Sequence, residues 1–211
     1  FALIYRTNAR SRLFEMALRH RRIPYVIVGA RKFYERREVR DLLGYLKLVV
    51  NPADEMGFLR VINVPKRGIG NKGVQRIREH AAEHNLSLLE AARAVAPKGG
   101  RGAKQLQNFV DLIDRARDAV HTLAPGDLLH QIAEESGYLA ALRAEDTREA
   151  QERLQNIDAL CQDVASRADP ADPEADPVSR LQEFLDQASL TGQDEELPDG
   201  GGAVTLLTAH L

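Results

Sequence analysis

Apolar positions along this chain change their period twice. Phe1-Ala2-Leu3-Ile4-Tyr5 and Tyr25-Val26-Ile27-Val28 are short continuous apolar runs, and each predicts a strand buried on both faces. Between them Leu13, Phe14, Met16, Ala17 and Leu18 keep a helical spacing, with Thr7 or Asn8 placed to cap the helix. Strand, helix and strand in some thirty residues predict a βαβ unit with parallel strands. From Val39 the period becomes helical and stays so. Val39, Leu42, Leu43, Leu46 and Val49 predict a helix that stops at Asn51-Pro52, and Asp54 opens another that buries Phe58, Leu59, Val61 and Ile62. Helices are predicted near 71–83 and 87–95, the second opened by Ser87 with Glu90 at capping-box distance. A long helix buries Leu106, Phe109, Leu112 and Ile113; shorter ones cover 126–134 and 138–144. Another long one runs over 147–166 through Leu154, Ile157, Leu160, Cys161 and Val164, and a last one uses Leu181, Phe184, Leu185 and Ala188. Val204-Thr205-Leu206-Leu207-Thr208-Ala209-His210-Leu211 then returns to an apolar run. The expected fold is mainly α: a helical body of roughly 165 residues spliced into a βαβ sheet that its end rejoins.

Breaks in the pattern support this division. Gly99-Gly100-Arg101-Gly102 is a flexible hairpin, Ala168–Pro177 is acidic and proline-spaced, and Asp194–Gly202 is an acidic, glycine-rich connector. Both ends fall inside apolar strands, so the chain is expected to be a segment of a larger protein. The single cysteine, Cys161, excludes an internal disulfide and reads as a core thiol, which points to a reducing, cytoplasmic compartment. No apolar run approaches membrane-spanning length. The formal net charge of −2 hides a split. Residues 1–80 hold 18 Lys/Arg against 7 Asp/Glu, leaving 11 bases and 24 acids for the rest. A basic, arginine-rich first part suits a phosphate-binding surface; arginines paired with the acidic part or solvated on helix faces are the alternative.

The candidate chemistry gathers at Val64-Pro65-Lys66-Arg67-Gly68-Ile69-Gly70-Asn71-Lys72-Gly73. Pro65 stops what precedes it, Gly68 and Gly70 are free to take positive φ, and Ile69 is an apolar plug between them. A glycine turn feeding a helix start aims unpaired amides at an anion, with Lys66, Arg67 and Lys72 as mobile positive charge around it. A purely structural turn is the other reading. Open α/β sheets bind ligands beyond the carboxyl ends of their strands. Arg6, Thr7 and Asn8 follow the first strand there, and Thr208, Ala209 and His210 close the last. Arg6 suits a phosphate, Asn8 a sugar or base, and His210 stacking or hydrogen bonding. Helix capping and strand-end hydrogen bonding would use the same residues. The histidines read as surface helix residues, and no metal site is expected. No Gly-x-x-x-x-Gly-Lys-Ser/Thr loop, and no acid/base or nucleophile arrangement, occurs.

Taken together the motifs resemble the UvrD/PcrA/Rep group of superfamily 1 DNA helicases. The likeness runs through Tyr5–Arg12, Ile23-Pro24-Tyr25, Lys32–Asp41, Tyr45-Leu46, Asn51–Asp54, Val61–Gly70, Ser136-Gly137-Tyr138, Arg153–Asn156, Phe184-Leu185 and Val204–His210. Ala30 and Ala209 depart from the residues usual there. The resemblance implies a RecA-like parallel α/β motor domain, 2A, interrupted by an all-helical 2B subdomain: 2A over 1–34, 2B over 35–201, and a return strand beginning motif V over 202–211. It implies single-strand DNA contacts at Arg6, Asn8, Thr208 and His210. The duplex contacts it implies are Lys66, Arg67, Gly68, Ile69, Gly70, Asn71 and Lys72. It further implies a hinge around Phe33, Tyr34, Glu35 and Arg36, with its other side at 195–203. The parent would be an ATP- and Mg2+-dependent 3′→5′ helicase of DNA repair or replication in the bacterial cytoplasm, associated with the nucleoid. This segment would bind no cofactor and have no ATPase activity, and 2B could also meet repair or replication proteins. Two alternatives stay open: 2B as mainly a protein-interaction and autoinhibitory module, or a segment of an AddA- or RecB-like helicase–nuclease.

Overall fold

The computed structural model of the chain describes residues 1–6, 11–21, 23–28, 32–96, 102–168, 176–191 and 202–209. Of the segments read above as loops, 99–101, 169–175 and 194–201 lie outside them. So do Thr7, Asn8 and His210.

Three short strands form a parallel sheet: β1 (Ala2–Tyr5), β2 (Tyr25–Val28) and β3 (Val204–Thr208), in the order β1-β3-β2. The last strand in sequence is thus the middle one, pairing Ala2 with Thr205 on one side and Tyr25 with Val204 on the other. Helix α1 (Ser11–His20) connects β1 to β2, and the crossover leaves one strand position vacant for β3 to fill. Phe14 of α1 stacks on Tyr5, with ring centroids 6.1 Å apart. Burial on both faces does not hold. Ile4 is 65% exposed and Val28 53%, because strand residues alternate between faces and α1 packs toward only one.

The helical body comprises α2 (Arg37–Val50), α3 (Glu55–Val61), α4 (Asn71–His84), α5 (Leu88–Val95), α6 (Ala103–Ala119), α7 (Pro125–Glu135), α8 (Tyr138–Glu145), α9 (Arg148–Ala168) and α10 (Pro177–Thr191). Where the period and caps give bounds, for α4, α5 and α7–α9, the observed ones lie within two residues of them. Helix α2 is the axle: Val39, Leu42, Tyr45 and Leu46 are fully buried, and α3, α6, α7, α9 and α10 all pack against it. Phe58, Phe109 and Phe184 fill the surrounding core. The capping box forms as expected. Glu90 N–H donates to Ser87 Oγ at 3.3 Å while Ser87 N–H donates to the Glu90 carboxylate at 2.9 Å, holding that carboxyl below its usual range. Asp54 does occupy the cap position of α3, but its side chain accepts no capping bond. Helices α7 and α9 approach closely at Gly126, where a Cβ would stand 2.7 Å from the Cys161 carbonyl oxygen. Cys161 is only half-buried, and that burial pushes its thiol up to about 12.

Candidate nucleic-acid interface

Helix α3 ends at Val61, and the chain then turns through a cis Val64–Pro65 peptide. Gly68 has φ of +73°, a left-handed conformation costly for any residue with a Cβ. Gly70 does not share it: at φ −79° and ψ 176° it is extended and serves as N-cap of α4. Ile69 is buried at 6% exposure, whereas Gly68, Gly70, Asn71 and Lys72 around it are exposed. The plug therefore anchors the bend and leaves its backbone accessible. Gly70 has no side chain to cap the helix, and the first helical bonds run from Gly73 and Val74 to its carbonyl. The amides of Asn71 and Lys72 lie ahead of those bonds.

A second helix start opens at the same place. Helix α6 begins after Gly102, which has φ of +84° and no capping side chain. A Cβ on Gly102 would stand 3.6 Å from the Gly68 carbonyl oxygen, so the two glycine turns touch. Both border a cavity of about 560 Å³ lined by the Gly68–Gly73 stretch, Arg76, Gly102 and Ala103. Two uncapped helix N-termini, each carrying the positive end of a macrodipole, face one opening. Composition makes Gly102 part of a flexible hairpin; its contact with Gly68 is a tertiary fact.

Arg67 behaves differently from the mobile charge expected of it. Its guanidinium turns inward and donates to the carbonyls of Val61 at 2.9 Å and Val64 at 3.0 Å, and to the Tyr45 hydroxyl at 2.5 Å. It lies over the Phe109 ring, 5.2 Å from the centroid. The physical reason is the bend itself, which points a set of backbone carbonyls at one spot and leaves a planar five-donor fork as their best partner. Tyr45 donates in turn to the Val64 carbonyl, and burial raises its phenol above the usual range. Behind it Tyr138 donates to buried Asp41 at 2.9 Å, and Arg60 meets the same carboxylate at 2.8 Å. Burial, then Asp41, raises the Tyr138 phenol strongly. Lys66 and Lys72 remain the exposed cations of the turn.

The residues 33–36 are no bare connector. Phe33–Glu35 form one 3-10 turn, with Phe33 and Tyr34 buried. Arg36, 7% exposed, donates to Ser11 Oγ of α1 at 2.6 Å and to Asn156 Oδ1 of α9 at 2.7 Å, and sits 3.8 Å from Glu15. Asn156 passes the network to Glu38 at 2.6 Å, Glu15 accepts from the Phe33 amide at 3.1 Å, and Tyr34 donates to Asp163 of α9. Burial lowers the Arg36 pKa, opposed by Glu15 and Glu38.

At the sheet, exposed Arg6 follows β1 beside the end of β3, where Thr208 pairs with Tyr5 and Ala209 N–H donates to the Tyr5 carbonyl at 2.8 Å. Arg6 and Thr208 thus share one edge. Asn8 and His210 fall outside the described residues.

A family model for the UvrD-like helicase C-terminal domain matches residues 1–211, the whole chain. The chain belongs to the UvrD-like helicase C-terminal domain family. It is similar to the ATP-dependent DNA helicase PcrA of Leuconostoc citreum, 35% identical over 217 residues that cover 100% of the chain and 29% of the relative. The corresponding figures for PcrA of Bacillus subtilis (strain 168) are 36% over 213 residues, 99% and 29%. For PcrA of Staphylococcus aureus (strain Mu50 / ATCC 700699) they are 35% over 215 residues, 99% and 28%. The chain spans less than a third of the length of these relatives.

Membership in the UvrD-like family agrees with the mainly α fold and its small parallel sheet. Among the described residues no helix is long and apolar enough to cross a membrane. The reading of the histidines as lacking His-x-x-x-His spacing is corrected by the sequence itself: His80 and His84 stand four residues apart on α4, and Glu83 lies beside them.

Proposed function

We propose that this chain is the part of an ATP-dependent 3′→5′ DNA helicase that opens motor domain 2A, carries the inserted 2B subdomain and re-enters 2A at motif V, with bounds at 1–34, 35–201 and 202–211. The return of β3 between β1 and β2 supports that splice, since a body of helices, nine among the described residues, leaves the sheet and comes back to its centre. The sequence holds no phosphate loop, so ATP and Mg2+ are assigned to the rest of the parent, and the segment by itself turns over no nucleotide. Single-stranded DNA runs past the shared edge of β1 and β3, at Arg6, Asn8, Thr208 and His210. Duplex DNA meets the turn at Lys66 and Gly68–Lys72.

The observation that carries the duplex reading is the pair of uncapped helix starts opening beside exposed Lys66 and Lys72. Their amides grip one phosphate in a fixed position, and the two lysines supply charge that follows the backbone without reading sequence. Arg67 keeps the bend in shape from behind and makes no phosphate contact. The experiment is duplex binding as a function of salt. Each of Lys66→Ala and Lys72→Ala lowers the slope of log affinity against log salt by about one, with little effect on stability. If both substitutions leave affinity and slope where they were, the turn is structural and the protein-interaction reading of 2B takes its place.

A further inference from the structure

We propose that His80, Glu83 and His84, at the far end of α4 from the glycine turn, form a surface site for one divalent transition-metal cation of the zinc class. One ligating atom from each of the three side chains lies within 4.8 Å of the other two. Residues four apart on a helix share a face, and the two imidazole centroids are 4.1 Å apart with the rings tilted by 41°. Bonds of about 2.0–2.1 Å to one tetrahedral ion put two nitrogens roughly 3.4 Å apart, so closing the site takes about an ångström of side-chain rotation and no backbone movement. His84 and Glu83 are exposed and His80 half-buried, so the rotation can fall on the two exposed side chains.

His84 is already oriented as a ligand. Its Nδ1 lies 3.1 Å from the His80 carbonyl oxygen, which can only accept, so Nδ1 carries the proton and Nε2 keeps the lone pair. A ring nitrogen tied to a backbone carbonyl is the usual support behind a metal-binding histidine. The position adds to this. The ligands occupy the last turn of a fourteen-residue helix, where the macrodipole's negative end favours a cation. Two imidazoles with one carboxylate select zinc, nickel, cobalt or copper over the hard, oxygen-seeking Mg2+ and Ca2+. The bound ion cross-links residues 80 and 84 and so fastens the turn that leads through Asn85 into α5.

The test is titration of the full chain with Zn2+, followed by calorimetry and by thermal unfolding with and without the metal. Saturable binding of one Zn2+ per chain is expected, undisturbed by millimolar Mg2+ and accompanied by a rise in Tm. His84→Ala weakens it by about tenfold or more, Glu83→Gln by less, and His130→Ala, an exposed histidine on α7, leaves it unchanged. His80→Ala behaves like His84→Ala. Should that half-buried change disturb folding, the two exposed substitutions decide the matter. Unsaturable binding, affinity undiminished in His84→Ala, an equal loss in His130→Ala, or displacement by Mg2+ overturns the site.

Discussion

The glycine turn at residues 66–72 and the linker at 33–36 each carry an arginine, and both lie in stretches that look like helicase motifs, yet they use charge in opposite ways. In the linker Arg36, Tyr34 and the Phe33 amide turn inward: Arg36 reaches Ser11 and Asn156, Tyr34 reaches Asp163, and Glu15 takes the Phe33 amide. In the turn Gly68, Gly70, Asn71 and Lys72 are exposed, and the helix start has no capping side chain. Arg67 is the exception that explains the rest, for it belongs to the linker's style while sitting in the turn's sequence. A cation among backbone carbonyls maintains a shape; a cation beside unpaired amides awaits an anion. Side-chain type separates the two poorly. What surrounds the head group separates them well.

The comparison breaks hardest at Arg36. Arg36→Ala removes the cation beside buried Glu15 and leaves Asn156 Oδ1 without its donor, and should cost about 3–5 kcal/mol in urea unfolding. A loss below about 1 kcal/mol would mean the joint is not held by this network. Arg67→Ala comes next, at about 2–3 kcal/mol, because several carbonyls and Tyr45 lose a shared donor. Arg67→Lys should recover little of it, a point charge being a poor substitute for a fork. In neither arginine variant should the salt slope of duplex binding change among molecules that remain folded. Within the turn, Gly68→Ala should cost about 1–2 kcal/mol through its positive φ, and Gly70→Ala about 1 kcal/mol or less, since a Cβ there meets nothing within 4 Å. Equal effects would remove the distinction drawn between the two glycines.

The smallest effect concerns alkaline pH. Burial raises both Tyr45 and Tyr138 above the ordinary phenol value of 10. Above that pH the unfolded chain loses these protons first, so stability is full below pH 10 and declines as pH rises beyond it. Tyr138→Phe should flatten the decline in a series of unfolding curves, at the cost of one hydrogen bond to Asp41.

What the residues disclosed without coordinates was mostly local. The Ser87–Glu90 box, the stop at Asn51 and the helical stripes of α2, α6 and α9 depend on neighbours within a few positions. The inward turn of Arg67 depends on Tyr45 and Ser136, which lie 22 and 69 positions away, and no spacing rule reaches that far. The partnership of Gly68 with Gly102 is equally remote. Continuous apolar runs in β1 and β2 hid an alternation of faces because both sides of each strand carry apolar residues. The His80–His84 pair is the contrary case: its signal was local, and it was missed.

The central position of β3 governs the order in which this protein can assemble. Among the described residues β1 and β2 pair with β3 alone, so Ala2 waits for Thr205, a partner 203 positions downstream. The helical lobe, built from nearer contacts, can close on itself long before then, and the centre of this sheet fills only after the lobe has been made.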